Sequence, residues 1–200
     1  RSYRQTAVTH KVHASFQNIR RLPAESIRDN ALAISGLLER EIGGASVKPY
    51  QPAGYYRHLN FPTRKYTHHK DQRLWRRGIY VHWQRQFLHP MLKAFDAPRR
   101  EECTAQRPRS NTPLAALVLL NDPTFVQAAQ AFAKRILAEG GGSTETRLDF
   151  AFRHAVSRKP DNFERKTLKT LLSVQGAKED AAWTTVARAI LNLAETNLRR

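Results

Sequence analysis

Two helix starts stand close together in the second half of this chain, Thr112-Pro113 and Asp122-Pro123, with only apolar residues from Leu114 to Leu120 between them. Thr112 and Asp122 carry side-chain oxygens that can accept from orphan backbone N–H groups. The proline after each one fixes φ at a value suited to the first helical position. The stretch therefore predicts a short helix, a sharp corner and a second helix, and it reads as a pair of caps around a buried apolar turn.

The same punctuation continues downstream. From Pro123, Phe125, Ala128, Ala129, Phe132 and Ile136 form an inward face that ends at Gly140-Gly141-Gly142. Ser143 or Thr144 opens the next helix, with Leu148, Ala151, Phe152, Ala155 and Val156 at spacings of three and four. Asp161 and Glu164 fit a capping box for a helix carrying Thr167, Leu168, Leu171 and Leu172. After Gly176, Trp183, Val186, Ala187, Ile190, Leu191 and Ala194 define a last helix. The connections are short and this half holds no period-two strand, so residues 110–200 predict a helical bundle with neighbouring helices packed antiparallel.

The first half is less regular. Residues 1–21 read as an extended arm, and residues 22–200 as one helical domain. Pro23 opens a helix along which Ile27, Ala31, Ile34, Leu38 and Ile42 recur, with Gly43-Gly44 as its stop. Residues 45–69 form a long loop in which Tyr50, Tyr55, Tyr56, Phe61 and Tyr66 either pack on the body or make a binding surface. Trp75, Ile79, Trp83 and Phe87 suggest one side of a helix over 72–88, against which Gly78 and Ile79-Tyr80-Val81 weigh. The fold class is mainly α: a C-terminal helical bundle, preceded by helices with long aromatic-rich loops.

The chain carries a net charge of +17, and it is uneven. Residues 1–109 hold 21 basic against 8 acidic residues, a surplus of 13. A basic half favours polyanions, such as acidic polysaccharide, nucleic acid, an anionic membrane surface or an acidic neighbouring domain; the alternative is a solvated basic face with no dedicated ligand. Cys103 is the only cysteine, which excludes an intrachain disulfide and a Cys-x-x-Cys-His haem attachment. No run approaches the roughly 20 apolar residues of a membrane span; Arg1 is not a start methionine, so the chain reads as a fragment or processed form, with any targeting signal outside it.

Several residue groups invite a chemical reading. His58, His68, His69 and His82 fall in one window, but none of their spacings is the i, i+4 pairing that brings imidazoles to one metal, so they read as loop and surface histidines. Arg73, Arg76, Arg77 and Arg85 are mixed with Trp75 and Trp83. Arg99, Arg100, Arg107 and Arg109 follow. Guanidinium groups bind phosphate, sulfate or carboxylate in a bidentate manner and stack on rings. These eight arginines are the candidate anion-binding residues; the competing reading is an amphipathic helix with core tryptophans and solvated arginines. Asp96, Glu101, Glu102 and Cys103 put acid and thiol together, although salt bridges account for the carboxylates. An enzyme built here needs His82, Asp96 and Cys103 to converge. No Gly-rich phosphate loop, Gly-x-Ser-x-Gly or His-Glu-x-x-His stands in the sequence, and no catalytic residue, metal or cofactor is assigned.

Leu22-Pro23-Ala24-Glu25-Ser26-Ile27-Arg28-Asp29, Ala33–Leu38, Arg76-Arg77-Gly78-Ile79-Tyr80, Phe95-Asp96-Ala97-Pro98, Arg100-Glu101-Glu102-Cys103 and Ser110–Pro123 follow one another in order. Together they resemble the planctomycete-type C-terminal domain of unknown function, the 1553 family, over about Leu22 to Leu198. The resemblance implies a part of a larger exported, envelope-associated protein that carries another domain of unknown function and often a cytochrome-c-like domain. Polysaccharide utilisation or redox chemistry is suggested by that company. It brings no catalytic residues. The resulting expectation is a non-enzymatic helical module, a scaffold or a binder of an acidic glycan or partner domain. Part of a hydrolytic or redox enzyme is the alternative, and nucleic-acid binding the third reading.

Overall fold

The computed structural model describes residues 20–58, 65–174 and 179–199, so most of the expected N-terminal arm and Phe61 lie outside the described residues. The architecture is mainly helical. A two-residue strand β1 (Arg20–Arg21) precedes helix α1 (Ala24–Ser35), and α2 (Pro90–Ala94) follows after a long irregular stretch. Then come α3 (Pro113–Asn121), α4 (Pro123–Glu139), α5 (Thr144–Val156), α6 (Asn162–Val174), α7 (Glu179–Leu191), α8 (Ala194–Asn197) and strand β2 (Leu198–Arg199). Among the described residues, no helix is long and apolar enough to cross a membrane.

The caps form as the sequence predicts. Thr112 Oγ1 accepts from Ala115 N at 3.3 Å, and Asp122 Oδ1 accepts from Thr124 N at 2.9 Å. Ser143 pairs reciprocally with Thr146 at the start of α5. Asp161 and Glu164 each accept from the other's backbone N–H, at 2.7 and 2.8 Å. The expected inward face of α4 is buried throughout. Its main partners are α7 and α1, which are remote in sequence, with α3 and α5 beside them. One continuous apolar core runs from Ala24 of α1 to Leu191 of α7.

Four sequence expectations are corrected. Helix α1 ends at Gly36, not at Gly43-Gly44. Gly36 adopts φ 80°, and the Gly36 and Leu37 N–H groups close back on the Ala33 and Leu32 carbonyls. The first glycine to reach the left-handed region stops the helix, since it lacks the Cβ that opposes that conformation. Leu38 lies beyond the helix and Ile42 is 84% exposed. Residues 72–88 are not a helix either. They form two short 3-10 turns, Gln72–Trp75 and Gly78–Tyr80, joined through extended Arg76 and Arg77. Gly78 lies against α1 so closely that a Cβ there would stand 2.8 Å from the Glu25 carbonyl oxygen. Tertiary contact outweighs the helical spacing, and Ile79 turns to solvent.

The apolar turn between the two proline caps is not buried. Only Ala115 of α3 is fully covered, while Leu114 and Leu117 are 58% and 53% exposed. The last helix is also shorter than expected: α7 ends at Leu191, and Ala194 starts the separate α8.

A buried arginine ties the irregular half to the helices. Arg28 sits in the inward register of α1 with Ala24, Ile27, Ala31, Leu32 and Ser35, and has no solvent exposure. Its Nη1 donates to the Arg76 carbonyl at 2.5 Å and its Nη2 to the Leu74 carbonyl. Asp29, 3.8 Å from Nη1, accepts from Gly78 N at 2.5 Å. Burial lowers the Arg28 pKa to about 10 and raises those of Asp29 and Asp122, against the mutual attraction of these three charges. Arg76 extends the tie outward: its side chain donates to the Gly43 and Ala45 carbonyls and stacks on Tyr80.

Removing one member of such a set leaves buried carbonyls and carboxylates without their cation. Arg28→Met, which keeps much of the apolar stem, is expected to cost about 3–5 kcal/mol in urea unfolding. A loss under about 1 kcal/mol, within the range of ordinary surface substitutions, would show that these bonds do not hold the 74–78 segment.

Candidate anion-binding cleft

The cleft grows from an aspartate in a left-handed conformation. Asp96 has φ 57°, a region that aspartate tolerates better than most residues. This turn follows α2 and aims the carboxylate across the chain. It accepts from Ser110 N at 2.7 Å, from the Ser110 hydroxyl and from Arg21 Nη2 at 2.5 Å. Burial pushes the Asp96 carboxyl up, but the Ser110 and Arg21 bonds outweigh it and hold the group below the ordinary carboxylate range. Residues 97–110 are thus closed into an irregular strap. Arg107 Nη1 braces the strap on Glu25 of α1, 3.1 Å from both carboxylate oxygens, and Arg100 braces it by lying 4.0 Å over the Trp83 ring.

Opposite the strap, β1 and β2 pair antiparallel, Arg20 with Arg199 and Arg21 with Leu198, and Leu22 N donates to Asn197 O at 2.9 Å. The pairing carries Arg21 to the Phe95 carbonyl and ring. Between strap, strands and α3 lies a cleft of about 1130 Å³. Ile27, Phe95, Ala115 and Leu119 give it an apolar floor. Arg20, Arg21, Arg107 and Arg109 line it, and no aspartate or glutamate among the described residues does. Arg21 and Arg107 are paired with Asp96 and Glu25, whereas Arg20 and Arg109 are exposed and form no salt bridge among the described residues. Asn111, Asn192 and Asn197 add amides. The Asn192 and Asn197 NH₂ groups donate to backbone carbonyls, which leaves their oxygens as acceptors.

Of the eight arginines singled out in the sequence, only Arg107 and Arg109 line this cleft. Arg73 is exposed and paired with Asp71, whose carboxyl its hydrogen bonds hold below the usual range. Arg76 is buried and bonded to backbone carbonyls. Arg77 stands 3.8 Å from Asp29. Arg85 and Arg99 are exposed elsewhere, and Arg100 is stacked on Trp83. The basic–aromatic mixture at 73–85 is therefore spread over several roles. Arg20 and Arg21 were assigned to the arm by the sequence; only the β1–β2 pairing, which joins residues almost 180 positions apart, brings them here.

The enzyme alternative fares differently at each member. Asp96 is held by Ser110 and Arg21, and the crevice around it is lined by neither His82 nor Cys103. Cys103 is exposed on the strap. His82 N donates to Val47 O at 2.7 Å, and its ring stands 6.5 Å from that of Tyr66. His58 is exposed, while His68 and His69 line a separate small cavity.

A mainly helical chain with a strap-walled basic cleft is what fold and geometry define. The model of the family described as PSD1, protein of unknown function (DUF1553), matches residues 2–172, and the chain belongs to that family. The match starts earlier and stops sooner than the motif resemblance; α7, α8 and β2, which complete the core and one wall of the cleft, lie beyond it. Comparison with curated proteins and with solved structures gives no match.

Because the Asp96 pKa is depressed on folding, its contribution is present above the unfolded carboxylate value, about 3.9, and is lost as pH falls through the folded value. Protection of the Ser110 amide from hydrogen exchange is expected to fall as pH drops below about 4. In Asp96→Asn that protection should be lower and insensitive to pH across the same window; wild-type-like protection there would show that the carboxylate does not close the strap.

Proposed function

We propose that this chain is a non-enzymatic binding module of a larger envelope-associated protein, and that its cleft takes an acidic polysaccharide, uronic or sulfated. The observation that carries the reading is the set of four guanidinium groups around one cleft with no carboxylate among its lining residues. Arg20 and Arg109 supply charge-assisted donors for carboxylate or sulfate groups. The apolar floor and the asparagine oxygens suit the C–H faces and hydroxyls of sugars. Arg21 and Arg107, already neutralised, hold the walls in place.

An acidic face of a partner domain is the second reading. It is favoured by the β1–β2 pairing, a strand contact at one wall of the cleft that carries Arg20 and Arg21 there. A glycan binds the isolated chain, whereas this reading predicts that free polysaccharide does not.

Calorimetric titration with polygalacturonate and with heparin at low ionic strength separates the two. Binding is expected, and it should weaken steadily as salt screens the charges. The double variant Arg20→Ala/Arg109→Ala should weaken it by about tenfold or more, the loss of at least one charge-assisted hydrogen bond. No binding at low salt, or full binding by the double variant, would remove the glycan reading.

A further inference from the structure

A second cavity, of about 220 Å³, shares no lining residue with the cleft. It lies where the aromatic loop meets the first 3-10 turn and the start of α4, enclosed by Tyr50, His68, His69, Lys70, Trp75 and Gln127. Its size falls below the roughly 300–1,000 Å³ of sites for drug-sized ligands, which limits an occupant to about one ring.

Buried bonds hold its walls from behind. The Tyr50 carbonyl accepts from His89 Nε2 at 2.7 Å; His89 is buried, and burial lowers its pKa to about 4, so it is a neutral donor. Leu74, also on the wall, is held by Arg28 through its carbonyl. Thr124 N is capped by Asp122. His69 and Lys48 are bonded twice: His69 N donates to Lys48 O at 2.9 Å, and Lys48 N donates to His69 Nδ1 at 3.1 Å. The second bond fixes the tautomer. Nδ1 accepts, which leaves Nε2 to carry the proton as a donor.

The polar content includes one full cation, Lys70, with the His69 Nε2–H, a second imidazole, the Gln127 amide and the Tyr50 and Thr124 hydroxyls. Among the described residues, neither Lys70 nor His69 Nε2 has a salt-bridge or hydrogen-bond partner in the protein. The nearby Asp71 carboxylate is taken by Arg73, at 2.6–3.0 Å. A single lysine cation suits a monoanion better than a dianion. Tyr50 and Trp75 offer ring surfaces for C–H groups. We propose that this cavity binds a small organic carboxylate of one-ring size: Lys70 and His69 hold the carboxylate, Gln127 meets a hydroxyl, and Tyr50 and Trp75 cover the ring. The proposal is independent of the polysaccharide reading of the cleft.

The probe is galacturonate, titrated into the whole chain by ¹H–¹⁵N NMR, with galactose and inorganic phosphate as controls. Saturable shifts are expected at residues 68–70, Leu74 and Gln127. Lys70→Ala, an exposed position, should weaken them by about tenfold or more, as expected for one charge-assisted hydrogen bond. Gln127→Ala should weaken them less, and Arg20→Ala/Arg109→Ala should leave them unchanged. The proposal is overturned by no saturation, equal shifts with galactose, binding of phosphate in place of galacturonate, or full affinity in Lys70→Ala. Shifts confined to cleft residues would also overturn it, while leaving the cleft reading standing.

Discussion

Arg28 is a guanidinium wholly removed from water, and burying such a charge is costly unless its Nη groups meet acceptors and its charge meets carboxylates. Here the acceptors are the Leu74 and Arg76 carbonyls, and the charges are those of Asp29 and Asp122. Two of those partners belong to a segment of short 3-10 turns, with no long helix or sheet to satisfy its backbone. The third, Asp29, takes the Gly78 N–H. The fourth, Asp122, caps α4, the helix on which α1 and α7 pack. One side chain thus couples the central helix to a stretch that propensity alone would leave undetermined. Arg76 carries the coupling one step further, from α1 to residues 43–45.

This anchoring explains how a long irregular region can wall a concavity. The small cavity is walled by Tyr50 and Leu74, fixed through His89 and Arg28. The larger cleft relies on a different device, an aspartate at positive φ that gathers Ser110 and Arg21. In both places a charged group is spent on positioning backbone. The arginines left over, Arg20 and Arg109 above all, are exposed.

The helical half was legible because its signals are local. Thr112, Asp122, Ser143 and Asp161 cap through hydrogen bonds within three residues, and the face of α4 follows from its spacing. Burial of α3 was not legible in the same way. Its sequence is apolar on every side, yet whether a side is covered depends on what lies across from it, and nothing in the described residues covers Leu114 or Leu117. The reading of 72–88 failed for a related reason. Four aromatic and aliphatic residues at helical spacing were outweighed by one glycine that must fit against Glu25. Arg28 itself left a signal that was missed: it sits at the i+4 position of the Ala24, Ile27, Ala31, Leu32 face, where an arginine is either paired or excluded.

The candidate cleft divides in the same manner. Sequence alone determined a mainly helical chain, its C-terminal capped helices, an excess of positive charge in the first 109 residues and the motifs of its family. Arg107 and Arg109 could be named from it. Only the tertiary structure decided that they face Arg20 and Arg21, that Arg76 serves the backbone and that Asp96 serves Ser110. Caps and periodicity are set by neighbours a few residues apart. A cleft is set by pairings such as Arg21 with Leu198, whose partners no local pattern can match.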